Sequence, residues 1–246
     1  MKKVRFGLIG KDISYSFSRG YFTEKFSNMG LEDHSYENFD FQAIEEIKDV
    51  LKNSDDIYGM NVTIPYKQQV MPFLDELDKE AEKIGAVNTI QFTENGLKGF
   101  NTDAYGFKNA MMPFLKPHHD KALILGTGGA SKAVAYVLGE LGISYTFVSR
   151  SPGNNKISYD QVTKNVLKDH TILVNCTPLG THPNIEERPS LPYEFLSDQH
   201  FLFDLIYNPE KTAFLTAGEA KGAQICNGLR MLELQADRSW QIWQES

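Results

Sequence analysis

The sequence predicts an α/β fold of two domains, in which an N-terminal α/β domain precedes a Rossmann-like, doubly wound domain. Strand-like apolar runs alternate with segments of helical periodicity in both halves of the chain, which is typical of sheets covered by helices. A polar, proline-containing passage at residues 113–120 separates the two series. A glycine loop, Gly126-Thr127-Gly128-Gly129, follows the first strand of the second series.

The first half predicts alternating strands and helices that end in a hairpin. The predicted strands span residues 4–9, 58–64, 86–92 and 96–100, and the predicted helices span residues 21–29, 41–52 and 75–84. Pro65 ends the second strand, because proline lacks the N–H that a sheet requires. Asn95-Gly96, between the last two strands, is a strong hairpin sequence because both residues tolerate the positive φ of a tight turn.

The second half predicts a repeated β-α pattern and a final helix. The predicted strands span residues 122–125, 145–148, 173–175 and 201–205, and the predicted helices span residues 130–141 and 229–243. The short apolar strands are consistent with a doubly wound parallel sheet.

Composition and charge restrict the class of protein. The 246 residues are 41% hydrophobic and 23% charged, which is ordinary for a soluble globular enzyme. A net charge of −7 disfavours nucleic acid as a partner, because phosphate binding needs clustered Lys and Arg. The two cysteines lack a metal-ligand spacing, and no signal sequence or apolar run of roughly 20 residues is present. We therefore expect a cytoplasmic protein with neither a membrane partner nor a metal site.

The glycine loop predicts a dinucleotide site. Gly126, Gly128 and Gly129 lie between a predicted strand and a predicted helix, where glycines allow a tight turn and let backbone N–H groups approach a pyrophosphate. Ser131 stands where the third glycine of the usual pattern would be, so the match is incomplete. The position of the loop favours a cofactor site over an ordinary turn.

Ser149-Arg150-Ser151, at the end of the next predicted strand, indicates which dinucleotide binds. About 20 residues after the loop, an NAD site usually carries an acidic residue for the ribose 2′-hydroxyl, and this chain has none there. An arginine between two hydroxyls suits a 2′-phosphate, because the guanidinium can form two charge-assisted hydrogen bonds. We predict NADP(H) rather than NAD(H), and the alternative is an Arg150 that is simply solvated at a strand end.

Lys67 and Asp103 are the candidate proton-transfer residues. Lys67 ends the segment GMNVTIPYK, and Asp103 ends Asn101-Thr102-Asp103 shortly before the glycine loop. Reduction of a ketone by a nicotinamide requires a proton for the developing alkoxide, which an ammonium can donate while a carboxylate orients it. Taken alone, Lys67 could equally be a surface amine and Asp103 the N-cap of a helix.

Together with Ser16-Phe17-Ser18, Gly85-Ala86-Val87-Asn88-Thr89 and Asn227-Gly228-Leu229, these motifs closely resemble those of the shikimate dehydrogenases, from about residue 6 to residue 235. The resemblance implies an NADPH-dependent, reversible reduction of 3-dehydroshikimate to shikimate in aromatic amino-acid biosynthesis. It also implies a substrate domain of residues 1–104, joined by a returning C-terminal helix of about residues 226–246, and an NADP-binding domain of residues 105–225.

The resemblance further implies roles for individual residues, and it makes Lys67 and Asp103 the catalytic pair. The implied contacts to the small-molecule substrate are Ser16, Ser18, Thr63, Asn88, Tyr207 and Gln235. The implied cofactor contacts are Gly126, Gly128, Gly129, Ala130, Ser149, Arg150, Ser151, Leu205 and Gly228. The two serines are expected to bind the substrate carboxylate. The expected assembly is a monomer or a homodimer.

The chain departs from the family pattern in a few places. Arg19 stands where a proline commonly follows the serines, Ala104 replaces a glycine, and Pro178-Leu179 replace small polar residues. None of these removes a group that the chemistry needs, although Arg19 changes the charge beside the serines. The alternatives are an NAD-dependent quinate/shikimate dehydrogenase, which the missing acidic residue disfavours, and a non-catalytic ligand-binding relative, which the retained lysine and aspartate disfavour.

Overall fold

The chain is divided into two compact units in the computed structural model, which describes residues 3–13, 16–51 and 56–245. Unit 1 consists of Met1–Thr102 together with Ala236–Ser246, and unit 2 consists of Asp103–Gln235. The chain therefore leaves unit 1 once and re-enters it within its final helix.

A mixed β-sheet forms the centre of unit 1. Among the described residues, its strands are β1 (Val4–Gly10), β2 (His34–Asp40), β3 (Ile57–Val62), β4 (Glu76–Leu77), β5 (Thr89–Thr93) and β6 (Gly96–Phe100). They lie in the order β2-β1-β3-β5-β6-β4. β1 is parallel to both of its neighbours, whereas β5 is antiparallel to β3 and β6. The hairpin predicted at Asn95-Gly96 joins β5 to β6.

A fully parallel sheet forms the centre of unit 2. Its strands are β7 (Lys121–Leu125), β8 (Ser144–Val148), β9 (Lys156–Ile157), β10 (Ile172–Asn175), β11 (Phe201–Asp204) and β12 (Gln224–Cys226). They lie in the order β12-β11-β10-β7-β8-β9, and every neighbouring pair is parallel. From β7 the chain passes to β8 and β9 at one edge of the sheet. It then returns to β10, beside β7, and passes to β11 and β12 at the other edge. The predicted doubly wound sheet is thereby confirmed, with its switch point between β7 and β10.

Helices surround both sheets. The α-helices of the described chain are α1 (Phe17–Asn28), α2 (Ile47–Leu51), α3 (Lys79–Ile84), α4 (Thr102–Met111), α5 (Gly129–Glu140), α6 (Lys164–Asp169), α7 (Ala213–Glu219) and α8 (Leu229–Gln244). Short 3₁₀ helices lie at Ile44–Glu46, Met71–Phe73, Met112–Phe114, Tyr159–Gln161 and Tyr193–Phe195. In the stretches 3–13, 16–51 and 56–245 we find no helix long and apolar enough to cross a membrane.

The last part of α8 completes the core of unit 1. Side chains alternate across β1, so Phe6 faces one apolar cluster while Ile9 faces another. Trp243 of α8 stacks on Phe6 with ring centroids 4.8 Å apart and donates from Nε1 to the carbonyl of Ile90 at 3.0 Å. A β-carbon added at Gly59 would lie 2.2 Å from Trp243 Nε1, so only glycine admits the indole. The expected return of the last helix to the first domain is confirmed by these contacts.

The helix predicted over residues 75–84 is wrong in its first half. Glu76 and Leu77 form β4 and pair with β6, and the helix begins only at Lys79. Asp78 sets this start, because its side chain accepts from the backbone N–H of Glu80 at 2.9 Å as an N-cap. The strands β2, β9 and β12 and the helices α6 and α7 were not predicted from the sequence.

Candidate active site

The predicted carboxylate-binding serines lie at the start of α1. Ser16 is the N-cap, and its Oγ accepts from the backbone N–H of Arg19 at 3.3 Å. Ser18 is half-buried and hydrogen-bonded to the phenol of Tyr36, whose pKa is raised by burial and lowered in part by that bond. Tyr36 in turn donates to Asn61 Oδ1 at 2.8 Å. Ser18 is thus linked through Tyr36 to a larger buried network, whereas Arg19 is exposed.

A buried cluster of amides and hydroxyls is linked to Ser18 through Tyr36. It consists of Asn61, Asn88, Thr89, Thr102 and Ser239, and we call it the amide–hydroxyl cluster. Asn61 Nδ2 donates to Ser239 Oγ at 2.9 Å, and Ser239 Oγ lies 2.8 Å from Thr89 Oγ1 and 3.2 Å from Thr102 Oγ1. Asn88 Nδ2 donates to Thr102 Oγ1 at 3.0 Å. The predicted substrate residue Asn88 is therefore fixed by a network whose members carry no charge.

Thr63 and Lys67 lie on the segment that follows β3. The backbone N–H of Thr63 donates to the carbonyl of Ile9 at 2.8 Å, which fixes Thr63 at the carboxyl end of β1. Lys67 is half-buried, and its backbone carbonyl accepts from the N–H of Val87 at 2.7 Å. Since Asn88 follows Val87, the structure brings the predicted lysine, Thr63 and Asn88 to one region of unit 1.

Asp103 and Gln235 lie in unit 2, on helices that touch. Asp103 is buried in the first turn of α4, where the positive end of the helix dipole favours a carboxylate. A β-carbon added at Gly106, three residues later, would lie 2.5 Å from the carbonyl of Met231 and 3.1 Å from Gln235 Cβ. Residues three apart share a helix face. This close approach therefore puts Gln235, which is also buried, on the face of α4 that carries Asp103.

The predicted dinucleotide site is a cavity of about 400 Å³ at the switch point of unit 2. The loop after β7 and the loop after β10 both line it; its lining residues are Gly126, Thr127, Gly128, Ser149, Arg150, Tyr159, Cys176, Thr177, Pro178 and Leu179. Gly126 has a φ of 100°, and a β-carbon there would meet Thr177 Cγ2 at 3.0 Å. Glycine is needed at this position both for the backbone conformation and for the approach of the second loop.

The start of α5 opens into free space. Gly128 is the N-cap of α5 and Gly129 is its first residue, followed by Ala130. A β-carbon added at Gly128 or Gly129 would find no atom within 4 Å. Ser131, the residue that breaks the glycine pattern, donates from Oγ to the carbonyl of Gly128 at 2.7 Å and stabilises the turn. The space beside these two glycines is open, so an anion can approach the N-terminus of α5.

Ser149 and Arg150 form the side of the cavity after β8. Ser149 Oγ donates to the carbonyl of Ser151 at 2.6 Å and accepts from its N–H at 3.3 Å, which makes a tight polar turn. Arg150 is exposed on this turn and lines the cavity, whereas Ser151 is exposed outside the lining. Tyr159 also lines the cavity; burial is the main cause that raises its pKa, and the charge of Arg150 acts in the other direction.

Leu205, Tyr207 and Gly228 lie together at the carboxyl end of β11. A β-carbon at Gly228 would lie 2.1 Å from the carbonyl oxygen of Leu205, so the two segments touch backbone to backbone. The N–H of Gly228 donates to the carbonyl of Ile206 at 3.0 Å. Tyr207 is 38% exposed, and partial burial raises the pKa of its phenol. These three residues do not line the cavity that Arg150 lines.

Comparison with known proteins identifies the family. The family model described as the shikimate dehydrogenase substrate binding domain matches residues 8–90. The shikimate dehydrogenase (NADP(+)) of Clostridium beijerinckii is 38% identical over 98% of this chain and 92% of its own length. The chain belongs to the shikimate dehydrogenase family.

Solved structures of similar proteins agree with this assignment. Shikimate 5-dehydrogenase from Thermus thermophilus, in complex with NADP(H) and shikimate, matches with a TM-score of 0.86 and 32% identity, over 99% of this chain and 94% of that chain. Quinate dehydrogenase from Corynebacterium glutamicum, in complex with NAD, matches with a TM-score of 0.87 and 26% identity, over 99% of this chain and 94% of that chain. The shikimate dehydrogenase fold therefore extends over nearly the whole chain.

The sequence patterns did not predict part of the lining of the cavity in unit 2. Tyr159, Cys176 and Thr177 were not nominated, and Pro178-Leu179 were noted only as departures from the family pattern. The order of strands would have identified the loop after β10, because the carboxyl ends of β7 and β10 meet at the switch point. Tyr159 has no such signal, because it follows a two-residue edge strand that the sequence does not predict.

Proposed function

We propose that this protein is an NADP-dependent shikimate dehydrogenase that catalyses the reversible reduction of 3-dehydroshikimate to shikimate. The observation that carries the proposal is the nearly full-length match to an enzyme named shikimate dehydrogenase (NADP(+)), at 38% identity. The cavity lined by Gly126, Gly128 and Arg150 supports the cofactor part of the proposal.

The cavity of unit 2 fits a phosphorylated dinucleotide. A side chain at Gly126 would meet Thr177, and the space beside Gly128 and Gly129 lets a pyrophosphate approach the N–H groups at the start of α5. Arg150 and Ser149 would hold the 2′-phosphate, which distinguishes NADP from NAD. Gly129, Ala130, Ser151, Leu205 and Gly228 complete the proposed contacts. When bound, NADPH supplies the hydride for the reduction.

Lys67 is the proposed proton donor. A lysine ammonium can stabilise charge that develops on the substrate oxygen and can transfer its proton to that oxygen. Asp103, buried at the positive end of α4, is the proposed carboxylate that orients the ammonium. In the oxidation direction the same pair takes up the proton from the substrate hydroxyl, because both directions pass through the same transition state.

The other polar side chains nominated by the family resemblance are proposed to bind the substrate. Ser16 and Ser18 would bind its carboxylate, and Thr63, Asn88, Tyr207 and Gln235 would bind its hydroxyl groups. Asn88 is pre-oriented by the amide–hydroxyl cluster, so little conformational freedom remains to be lost on binding. A cytoplasmic location belongs to the same proposal and is supported by the free thiols of Cys176 and Cys226.

A second candidate is an NAD-dependent quinate/shikimate dehydrogenase. The likeness to a quinate dehydrogenase bound to NAD favours it. Arg150 in the cavity disfavours this candidate, because a guanidinium there can form charge-assisted hydrogen bonds with a 2′-phosphate, which NAD lacks.

Steady-state assays of the purified protein separate these functions. Shikimate and quinate are each combined with NADP and with NAD, and specificity constants are compared. We expect shikimate with NADP to give the highest value. A preference for quinate with NAD would replace the proposal by the second candidate, and absence of turnover in all four combinations would show a ligand-binding relative instead.

A further inference from the structure

Asp204 is a buried carboxylate that the proposed mechanism does not use. It ends β11 and is 0% exposed. Its Oδ1 accepts from Asn175 Nδ2 at 3.0 Å and from the backbone N–H of Ile206 at 3.1 Å, and its Oδ2 accepts from Thr212 Oγ1 at 2.6 Å. All three donors are neutral. Since burial of a charge disfavours folding unless it is well compensated, the position of this carboxylate calls for a functional explanation.

One arm of this network reaches the cofactor cavity. Asn175 donates to Asp204, and this fixes its amide so that Oδ1 points to Thr177. That oxygen accepts from the backbone N–H of Thr177 at 3.0 Å and from its hydroxyl at 2.7 Å. Thr177 Oγ1 then accepts from the N–H of Leu179 at 3.3 Å. Thr177 and Leu179 both line the cavity, so Asp204 orders one of its walls through Asn175.

The other arm holds the segment of residues 205–212. Ile206 at its start and Thr212 at its end both donate to the same carboxylate. Thr212 is also the N-cap of α7. The carbonyl of Ile206 accepts from Gly228, and Tyr207 follows Ile206 in the chain. Asp204 therefore holds both ends of the segment of residues 205–212, which carries the proposed substrate contact Tyr207.

We propose that Asp204 is a positioning residue of the active site, which holds the cavity wall of residues 176–179 and the segment of residues 205–212 in one fixed arrangement by accepting from Asn175, Ile206 and Thr212. The inference rests on the proposed function. The carboxylate touches neither substrate nor cofactor in this role. It acts because an ionised carboxylate is an acceptor only, and so dictates the orientation of all three donors.

Protonation should weaken this arrangement. Burial raises the pKa of Asp204 to about 6, although the hydrogen bonds from Thr212, Ile206 and Asn175 oppose the shift. The charge of Asp204 also acts on the thiol of Cys176 and the phenol of Tyr193, but burial is the main cause that raises the pKa of both, so they stay neutral. A protonated Asp204 presents one O–H where it had an acceptor. It must then give up or reverse one of the three hydrogen bonds.

The test compares Asp204→Ala, Asp204→Asn and the wild type by NADP dissociation constants and by kcat and KM for shikimate, from pH 5 to pH 8. Asp204→Ala should weaken NADP binding and lower kcat/KM by about 10-fold to 100-fold, the cost of a small misplacement of site groups. Asp204→Asn keeps the shape and imitates the protonated acid. The kcat/KM of wild type divided by that of Asp204→Asn should therefore be near unity at the lowest pH and should rise as the pH passes through about 6.

Taking the ratio cancels the effect of the titration of the cofactor's own 2′-phosphate, which is the same for both proteins.

His200→Ala is the matched control. His200 is buried immediately before the amino end of β11 and has Nε2 3.0 Å from the carbonyl of Leu167. Its loss should lower stability at the other end of the same strand and leave NADP affinity unchanged.

Three results would overturn the proposal. They are an Asp204→Ala protein with NADP affinity and turnover equal to wild type, an equal loss in His200→Ala, and a pH-independent ratio for Asp204→Asn. The last measurement decides the question even where Asp204→Ala does not fold. A wild type that binds NADP without oxidising shikimate would refute the proposed function alone, and the binding measurements would still test Asp204.

Discussion

The two units satisfy their buried polar groups in different ways. In unit 1 the amide–hydroxyl cluster joins Asn61, Asn88 and Ser239 through hydrogen bonds between neutral amides and hydroxyls. In unit 2 a carboxylate, Asp204, lies at the centre of the corresponding network and accepts every bond that it makes. Hydrogen bonds between neutral groups do not depend on the ionisation of either partner, whereas we expect those to Asp204 to change when the acid is protonated.

The two networks differ in what they cost the folded state and in how they orient their hydrogen bonds. The neutral cluster stabilises unit 1 and orients Asn88 at little cost, because hydroxyls and amides satisfy one another when buried. The network of unit 2 disfavours folding through the burial of a charge. In return it fixes the direction of each hydrogen bond. If the two networks act independently, a change in one unit should leave the function that depends on the other network unaltered.

The largest effect is expected from Lys67→Ala in unit 1. Turnover should fall by about 10²-fold to 10⁴-fold, the usual cost of losing a general acid–base group. NADP affinity should stay close to wild type, because the cavity of unit 2 is untouched. Single-turnover and binding measurements check the two parts separately. Gln68→Ala, at the exposed neighbouring position, is the control. Near-normal turnover with only a raised KM would make Lys67 a binding residue.

The next largest effect is expected in the pH dependence of the unfolding free energy, compared between wild type and Asp204→Asn. The folded pKa of about 6 lies above the ordinary value of 3.8, so between these values the folded state holds a proton that the unfolded state has lost. Stability from this group is therefore present below about pH 4 and lost as pH rises through about 6. A shift of about two pKa units corresponds to about 3 kcal/mol.

Denaturant unfolding at several pH values measures this prediction. The stability of wild type relative to Asp204→Asn should fall between pH 4 and pH 7, because the asparagine cannot ionise. Titration of all other groups cancels in the difference. A constant difference would mean that Asp204 titrates at its ordinary value and that its burial has little energetic effect.

Arg150→Ala should change cofactor preference by at least about tenfold, since each lost hydrogen bond to a charged group is worth about 1.5–3 kcal/mol. NADP use should fall while NAD use and the KM for shikimate stay nearly constant. Specificity constants for both cofactors test this, with Lys164→Ala, which removes a cation at α6, as the control. An equal loss for NADP and NAD would assign Arg150 a structural role.

The smallest effect is expected in the neutral cluster. Ser239→Ala removes a hydroxyl that contacts Asn61, Thr89 and Thr102, and should lower the free energy of unfolding by about 1–2 kcal/mol. The loss should be the same at pH 5 and pH 8, because none of these groups titrates. Ser27→Ala on the exposed face of α1 provides the matched control. A pH-dependent loss would show that the cluster is coupled to a charged group.

Local patterns in the sequence predicted the features that depend on neighbouring residues. The apolar runs at β7, β10 and β11, the hairpin at Asn95-Gly96 and the glycine loop before α5 all carry their own signal. β2 does not, because its sequence His34–Asp40 is largely polar and forms a strand by pairing with β1. Likewise β9 and β12 are too short for a period to be recognised.

The hydrogen-bond partners that orient the site residues could not be predicted, because they lie far apart in the sequence. Asp204 and Asn175 are 29 residues apart and become partners only because β10 and β11 are adjacent. Ser239 meets Asn61 across 178 residues. The motif residues of the site were nominated through the family resemblance, and their individual roles stay predictions. The residues that orient them follow from the order of strands, which spacing along the chain does not reveal.

The division of α8 between the units affects how the protein is made on the ribosome. Unit 2 is one continuous stretch, Asp103–Gln235, whereas the core of unit 1 includes Trp240 and Trp243. Domains generally fold as units during synthesis, the N-terminal one first. We expect the reverse order here, because Phe6 and Phe22 pack against Trp243, which is translated after the whole of unit 2. The sheet translated first would then be the last to have its core completed.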